Sequence, residues 1–541
     1  MQIVHPFRTA MHMAMVATLA TVSVAAAEVD LTGVPQANPK IVGIAVPTAL
    51  SPELRQSSVA QGATPLENGT LDFPFYGYNG DGPMVPAPGD VQAPGHNVEA
   101  TKTEPDKNTY LVLSEQHGPD LYYHYGTHFL FQGHENSVGG RGYITRINLD
   151  ADAAHRVTLL ASIDVDGKPL PTFDGSTWDP WAQRLLFTAE LGNRGGVWQA
   201  TVDYPSMVED ISGALGRGGY EGIQNDADGN IWIVEDVGGP SGTVNVNARQ
   251  PNSFLYRFIP KDPTDLKAGT LQALQVLSLA SGQPIVFHAG QADADILSQD
   301  VRDLHTYGNV FQTKWVTIHD TDTDGTAPFN ANARAKAAGA TPFKRPENGL
   351  FRPGTGFREF YFDETGDTDI RTQAGSQFGG FGSIMKLTQA HPSADTGTLT
   401  MFFQGDPDHT AFDNVAFWSA DQVVFVEDRG DTLHTQHNAL DSGFLFDLEA
   451  DYSDPSTPPP LRLIAQGRDV SATIDSALGG SAGNGFQNDG DNELTGIHIS
   501  DGEPTVHGIL GAKRPRPFRA GWRVFYTQQH GDNITYEIHR K

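Results

Sequence analysis

EGIQNDADGNIWIVEDVGG, residues 221–239, has an acid at its start, a polar turn, an apolar run of strand formers, and a second pair of acids at its close. The same order recurs as EPDKNTYLVLSEQHG from Glu104, DGSTWDPWAQRLLFTAELG from Asp174, ENGLFRPGTGFREFYFDETGD from Glu347 and DNVAFWSADQVVFVEDRGD from Asp413. A sixth copy, ELTGIHIS from Glu493, resumes at RVFYTQQHGD. Six similar units, none able to bury its own apolar face, predict one closed ring.

A second hairpin of alternating residues follows most copies: GYITRINL with RVTLLA, SFLYRFI with LQVL, SIMKLT with TLTMFF, and GFLFDLE with LRLIA. Two hairpins make a four-stranded blade, so the expected fold is all-β, a single β-propeller of six four-stranded blades. The last copy has only TYEIH from Thr535 before the chain reaches Lys541, and the missing strand is expected from IVGIAV, starting at Ile41. In such a ring the first strand of each blade lines the channel. The acids at Glu104, Glu221, Glu347, Asp413 and Glu493 should therefore converge as a ring of carboxylates. Residues 28–100 read as a loop-rich cap that supplies the closing strand, with DFPFYGYNGDGPMVPAPGD from Asp72 as its Pro- and Gly-rich core. Residues 101–541 are the propeller. An insertion at about 278–344 exceeds what two strands need; its NARAKAAGA stretch is expected to be helical, and the whole to act as a channel-side lid or substrate loop.

The balance of 65 acids against 36 Lys and Arg, net −29, argues against nucleic acid or an anionic membrane surface as partner and suits multivalent cations. Most of these acids read as solvated surface. With no cysteine, disulfides, thiolate metal sites and Cys nucleophiles are all excluded. Residues 1–27 run from a weakly basic start through MAMVATLATVSV to AAA, with Ala25 and Ala27 in the small-residue positions of a cleavable secretory signal, so a periplasmic or extracellular location is expected. That apolar run is too short to span a bilayer.

Three local patterns bear on chemistry. Asp320, Asp322, Asp324 and Gly325 match the first half of a calcium loop, but Ala331 stands where its bidentate acid belongs, leaving an ordinary acidic turn as the favoured reading. His124, His128 and His134 are loosely spaced among aromatics, which favours packing over metal. In TPFKRPENGLF, Arg345 and Glu347 flank Pro346; an extended chain there would point both side chains to one side. A guanidinium beside a metal-binding carboxylate suits an anionic oxygen ligand such as phosphate, while a plain Arg–Glu ion pair fits the same residues equally well.

RPENG at 345–349, EGIQNDADGNIWIVED at 221–236, the DPW segment at 179–181 leading to Glu190, KTEPDKNTYLV from Lys102 and the terminal FYTQQHG together resemble the PhoX-type alkaline phosphatases and the wider family of secreted propellers sharing that domain. The resemblance implies an exported enzyme acting on small phosphomonoesters through calcium and iron in the channel. It makes Glu190, Glu221 and Glu347 metal ligands, with Glu493 for the last blade, and Arg345 the catalytic clamp on phosphate. Glu104 adds a further candidate ligand from the acid ring. Where the family's phosphatases carry an iron-ligating cysteine, this chain offers Asp174, and it lacks the family's twin-arginine leader, having only Arg8. Oxygen donors without a thiolate favour Ca²⁺ over iron. Two other readings stay open: a lactonase-like calcium hydrolase using Glu221, Asn225, Asn348 and Asn414, and a non-catalytic, calcium-stabilised propeller that binds a partner.

Overall fold

In the computed structural model, which describes residues 31–44, 46–84, 100–136, 138–467, 493–529 and 533–541, each acid–turn–apolar copy becomes an antiparallel pair of strands. The expected secretory signal lies outside the described residues. The strands Pro105–Val112, His128–His134, Ile144–Asn148 and Val157–Ala161 form one four-stranded sheet, and Ser176–Asp179, Arg184–Ala189, Gly196–Ala200 and Val208–Asp210 form the next. A third begins at Phe412–Phe417 and a fourth at Glu493–Ser500. A nine-stranded sheet carries the copies at Tyr220–Asn225 and Gly349–Phe351 at its two ends. The molecule is all-β and propeller-like.

The six first strands touch one another in chain order, and the Glu493–Ser500 strand returns to Pro105–Val112, closing a ring. They are almost wholly buried, as Tyr220–Asn225, Phe412–Phe417 and Glu493–Ser500 show along their entire lengths. Outer strands alternate instead: in Thr396–Gln404 the buried positions are Leu399, Met401 and Phe403. Within the nine-stranded sheet, aromatic side chains interlock. Trp232 meets Trp315 and Phe351 edge-on, with ring centroids 5.2 and 5.0 Å apart, and its indole donates to Asp226 Oδ2 at 2.8 Å.

Closure differs from the expectation. Pro39–Val42, which overlaps the start of the expected closing segment, is a short 3₁₀ turn with Ile41 and Val42 more than half exposed. The strand that pairs with Ile534–Arg540 is Leu54–Ala60, LRQSSVA, in the register Leu54↔Arg540 and Ser58↔Tyr536, while Thr48–Leu50 adds to Leu461–Gln466. An outermost strand is half solvated, so its sequence needs few apolar residues, and a polar run was able to hide the role.

The 278–344 interval contributes to the sheet itself. Its Phe311–Asp320 strand pairs with Asp265–Val276 on one side, Leu274 opposite Trp315, and with Thr396–Gln404 on the other, Phe311 opposite Leu399, which joins two sets of four strands into the nine-stranded sheet. The Ala-rich stretch forms a helix over Ala331–Ala337, capped by Asn330, whose side chain accepts from Ala333 N at 2.6 Å. No helix among the described residues is long and apolar enough to cross a membrane.

Candidate metal and anion site

An antiparallel pair brings the start of its first strand beside the end of its second, so both acid clusters of each copy meet at the same end of the ring. The backbone then aims them. Pairing slips between Pro105 and Asn108, between Tyr220 and Ile223 and between Phe412 and Val415, at Asp106, Glu221 and Asp413, and again between Thr495 and His498, two residues beyond Glu493. Such bulges turn a strand's side chains off the regular alternation, a device common beside functional sites.

Among the described residues three groups of carboxylates converge, each with one oxygen per residue within 4.8 Å of the others: Glu221, Glu347 and Asp413; Glu135, Asp174 and Glu190; and Asp106, Glu135 and Glu493. Glu221, Glu347, Asp413, Asp106, Asp174 and Glu493 are buried. Burial, and then the neighbouring carboxylates, drive the pKa values up. Asp106 is pushed up to about 7 by burial and by Glu135, and Asp413 to about 7 by burial and by Asp106. Asp174, Glu221, Glu347 and Glu493 are all held well above their ordinary range, burial first in each case; Glu190, although its surface is exposed, is raised as well, by desolvation and then by Asp236 and Glu135. Oxygens Asp174 Oδ1, Asp363 Oδ2 and Asp413 Oδ2 are buried without a hydrogen-bond partner in the protein. Clustered, desolvated, under-satisfied carboxylate oxygens are a donor set that fits a hard divalent cation.

Of the residues marked by the sequence, the structure brings Glu190, Glu221, Glu347, Glu493 and Asp174 into these groups. It does not bring Glu104, whose carboxylate accepts from Asn136 at 3.2 Å; the first sheet contributes Asp106 instead, two residues on. Glu104 has a positive φ of 47° and precedes the strand, so its side chain leaves the register that carries Asp106 inward. Glu135 belongs to two groups and was missed. In the first copy the second strand is His128–His134, beyond a long connection, so the acid homologous to Glu190 or Asp236 is Glu135, and not the Glu115 that closes the contiguous motif.

Arg345 is not extended: φ is +58°, a left-handed conformation that tertiary contacts enforce. Its carbonyl accepts from Thr365 N at 2.8 Å, and Asp363 Oδ1 accepts from Glu347 N at 3.2 Å and Asn348 N at 2.8 Å, fixing the turn. The guanidinium still meets Glu347, Nη2 to Oε1 at 3.3 Å, yet its main partner is Asp236, which accepts from Nε at 2.9 Å and from Nη2 at 2.6 Å. Asp236 sits just past the Ile231–Glu235 strand, at the close of the copy that Glu221 opens. Among the described residues Nη1 makes no hydrogen bond, and the side chain stays 24% exposed. The Nε–Nη2 edge of the fork is thus held by carboxylate.

The other candidates resolve as structure. Asp320 caps the short Thr321–Asp324 helix and accepts from Asp322 N at 2.9 Å, Asp324 faces Arg334 and His319, and Asp322 pairs with Lys261. His134 is buried against Tyr143, ring centroids 4.0 Å apart, with hydrogen bonds to Thr103 and Thr145, and His128 pairs with Asp150.

The family model described as alkaline phosphatase PhoX matches residues 247–451, the same family that the sequence motifs resemble. The span holds Arg345, Glu347, Asp363 and Asp413; Glu190, Glu221 and Glu493 fall outside it. No curated protein matches the chain. Among solved structures, TolB from Acinetobacter baumannii aligns at 10% identity and a TM-score of 0.27 over 80% of this chain, which spans 63% of the length of TolB. An α-L-arabinofuranosidase from Podospora anserina, solved with cellotriose, aligns at 9% identity and a TM-score of 0.30, covering 85% of this chain and 95% of its own.

Proposed function

We propose that the protein is a metal-dependent hydrolase of small phosphomonoesters that works where the acid clusters meet. The observation that carries this is Arg345: Asp236 holds its Nε–Nη2 edge, Glu347 beside it belongs to a buried three-carboxylate group, and Nη1, which makes no hydrogen bond among the described residues, is available to an anionic oxygen. The match of residues 247–451 to a phosphatase family supports the same reading.

In this account Glu221, Glu347 and Asp413 hold one cation, and Glu190, Asp174, Glu135, Asp106 and Glu493 hold further ones, with Ca²⁺ the ion that best suits an all-oxygen donor set. Bound divalent ions supply Lewis-acid polarisation of a phosphoryl oxygen. The chain's own part is positional. Asp236 fixes the plane of the Arg345 guanidinium, so its free edge meets phosphoryl oxygens without reorganisation as charge develops on them. Asp363 holds the Glu347–Asn348 backbone, and so the ligand carboxylate, in place. We read the nine-stranded sheet as two blades bridged by Phe311–Asp320, which makes six in all, and residues 1–27 as an export signal.

Phosphate release from p-nitrophenyl phosphate by Ca²⁺-loaded protein, beside opening of an aliphatic lactone, tests the reading. Lactone opening without phosphate release would transfer the site to a lactonase-like hydrolase. Neither reaction would leave a cation-stabilised scaffold.

A further inference from the structure

The end of the ring away from the carboxylates carries a run of arginines. The Glu493–Ser500 strand has Glu493 in the acid ring and Ser500 at its other end, roughly 23 Å along. From Ser500 the chain crosses that far end and re-enters the sheet at Arg523, which pairs with Ser500. On the way Pro504 O accepts from the Trp178 indole at 2.7 Å, Arg514 lies against Gly354, and the Phe518 ring meets Trp418 edge-on at 5.6 Å. The second half of the crossing, KRPRPFRAGWR from Lys513, is basic, and residues 504–531 hold no Asp or Glu in a chain with 65 acids.

Arg514, Arg516 and Arg519 are exposed, and none of their side chains makes a hydrogen bond or ion pair with a described residue. The same holds for Arg55 and Arg540, which line an open cleft with Phe518 and Trp522. The acids that meet this stretch are engaged elsewhere, Asp501 and Glu503 by Lys513 and Glu537 by Arg523. Arg516 O accepts from Arg519 N and Arg519 O from Trp522 N, both at 3.0 Å, while Phe518 and Ala520 take positive φ values of 67° and 51°. Those left-handed positions cost strain, and they set Phe518 on Trp418 while Arg519 stays in solvent.

Guanidinium groups without partners, strung along one path, match a partner that carries oxyanions at intervals, since each fork can grip one through two parallel bonds. The acid ring does not oppose this: salt screens charge over about 8 Å, and the ring lies well beyond that. Half-buried Phe518 and Trp522 offer the cleft an apolar wall for the C–H faces of sugar rings. Among the large apolar side chains of the crossing only Val506 is exposed, so it has no apolar face to lay into a bilayer.

We propose that this arginine track binds an acidic polysaccharide, whose charged groups meet Arg514, Arg516, Arg519, Arg55 and Arg540 while its rings pass Phe518 and Trp522. A chain held there leaves the acid-lined mouth, at the opposite end of the ring, open to solution.

The test is retention of whole protein on immobilised dextran sulfate, with neutral dextran as control. Wild type should be held on dextran sulfate at about 50 mM NaCl and pass through neutral dextran. Replacing Arg514, Arg516 and Arg519 together by Gln should lower the eluting salt concentration by about twofold or more, and replacing them by Lys should keep most of the retention. All three side chains are exposed, so both variants should melt like wild type; if the Gln variant does not, Arg55→Gln with Arg540→Gln carries the same comparison. Wild type that passes through dextran sulfate, or Gln variants that elute with wild type, overturns the proposal. Tighter binding to phosphatidylglycerol vesicles or to single-stranded DNA than to dextran sulfate overturns the polysaccharide as partner.

Discussion

Stripping divalent cations from the protein should make its stability fall as pH rises, because the acid ring then keeps protons that the unfolded chain has already released. Asp106 and Asp413 ordinarily titrate near 3.8 and are each pushed up to about 7, by burial and then by Glu135 and Asp106 respectively. A folded-state pKa raised above the unfolded value means that the folded state binds the extra proton. Stability is therefore greatest below about 4 and drains away as pH climbs through about 7. At about 1.4 kcal/mol per pH unit, one carboxylate moved across that window costs about 4 kcal/mol. We count only one proton, because the two residues act on each other. That is a large share of the 5–15 kcal/mol that typically separates folded from unfolded domains. The assay is thermal unfolding of resin-stripped protein between pH 5 and 8, with and without added Ca²⁺. Stripped protein should lose roughly 2 °C or more across the range, and Ca²⁺ should remove most of that slope by taking the protons' place. A stripped protein whose melting temperature is flat or rising over this window, with no response to Ca²⁺, would refute the reasoning.

Three substitutions or deletions probe other parts of the account. Arg345→Lys keeps the charge and loses the fork, so kcat for a phosphomonoester should fall about tenfold or more with little change in melting temperature; a destabilised variant whose folded fraction keeps full activity would make Arg345 a structural partner of Asp236. Asp413→Asn removes one of three facing charges while keeping shape, so stripped protein should gain about 1 kcal/mol or more at pH 8 in unfolding experiments, and Ca²⁺ affinity should fall roughly tenfold or more by titration calorimetry. Deleting the chain through Ala60 leaves the Ile534–Arg540 strand without its partner Leu54–Ala60, and the cooperative melt followed by circular dichroism should be lost; a wild-type melt would mean that the ring closes without that strand.

The repeat made the ring legible because the second strand of each copy is an apolar run and the acids that flank the pair sit at fixed offsets, as in Glu221 to Asp236 around Ile231–Glu235. Glu221, Glu347, Asp413 and Glu493 were readable for the same reason, while Glu190 and Asp174 were marked through the family resemblance. Glu135 was not readable, since the first copy separates its two strands by the whole 113–127 connection, which breaks the contiguous motif. Asp106 in place of Glu104 turns on a bulge and one positive φ, which sequence does not display. Arg345 shows the limit most clearly: the rule for residues before proline favours an extended chain, and hydrogen bonds to Asp236 and Thr365 outweigh it, yet the pairing with Glu347 survives. The closing strand escaped because LRQSSVA lies at a half-solvated edge where polarity costs little.

The most direct test of the central claim is phosphomonoester turnover by one preparation of protein assayed as purified, after stripping, and after Ca²⁺ is restored. The account predicts phosphate release that disappears on stripping and returns with Ca²⁺. Turnover that survives complete removal of divalent cations, or a fully reloaded protein that releases no phosphate, would contradict it.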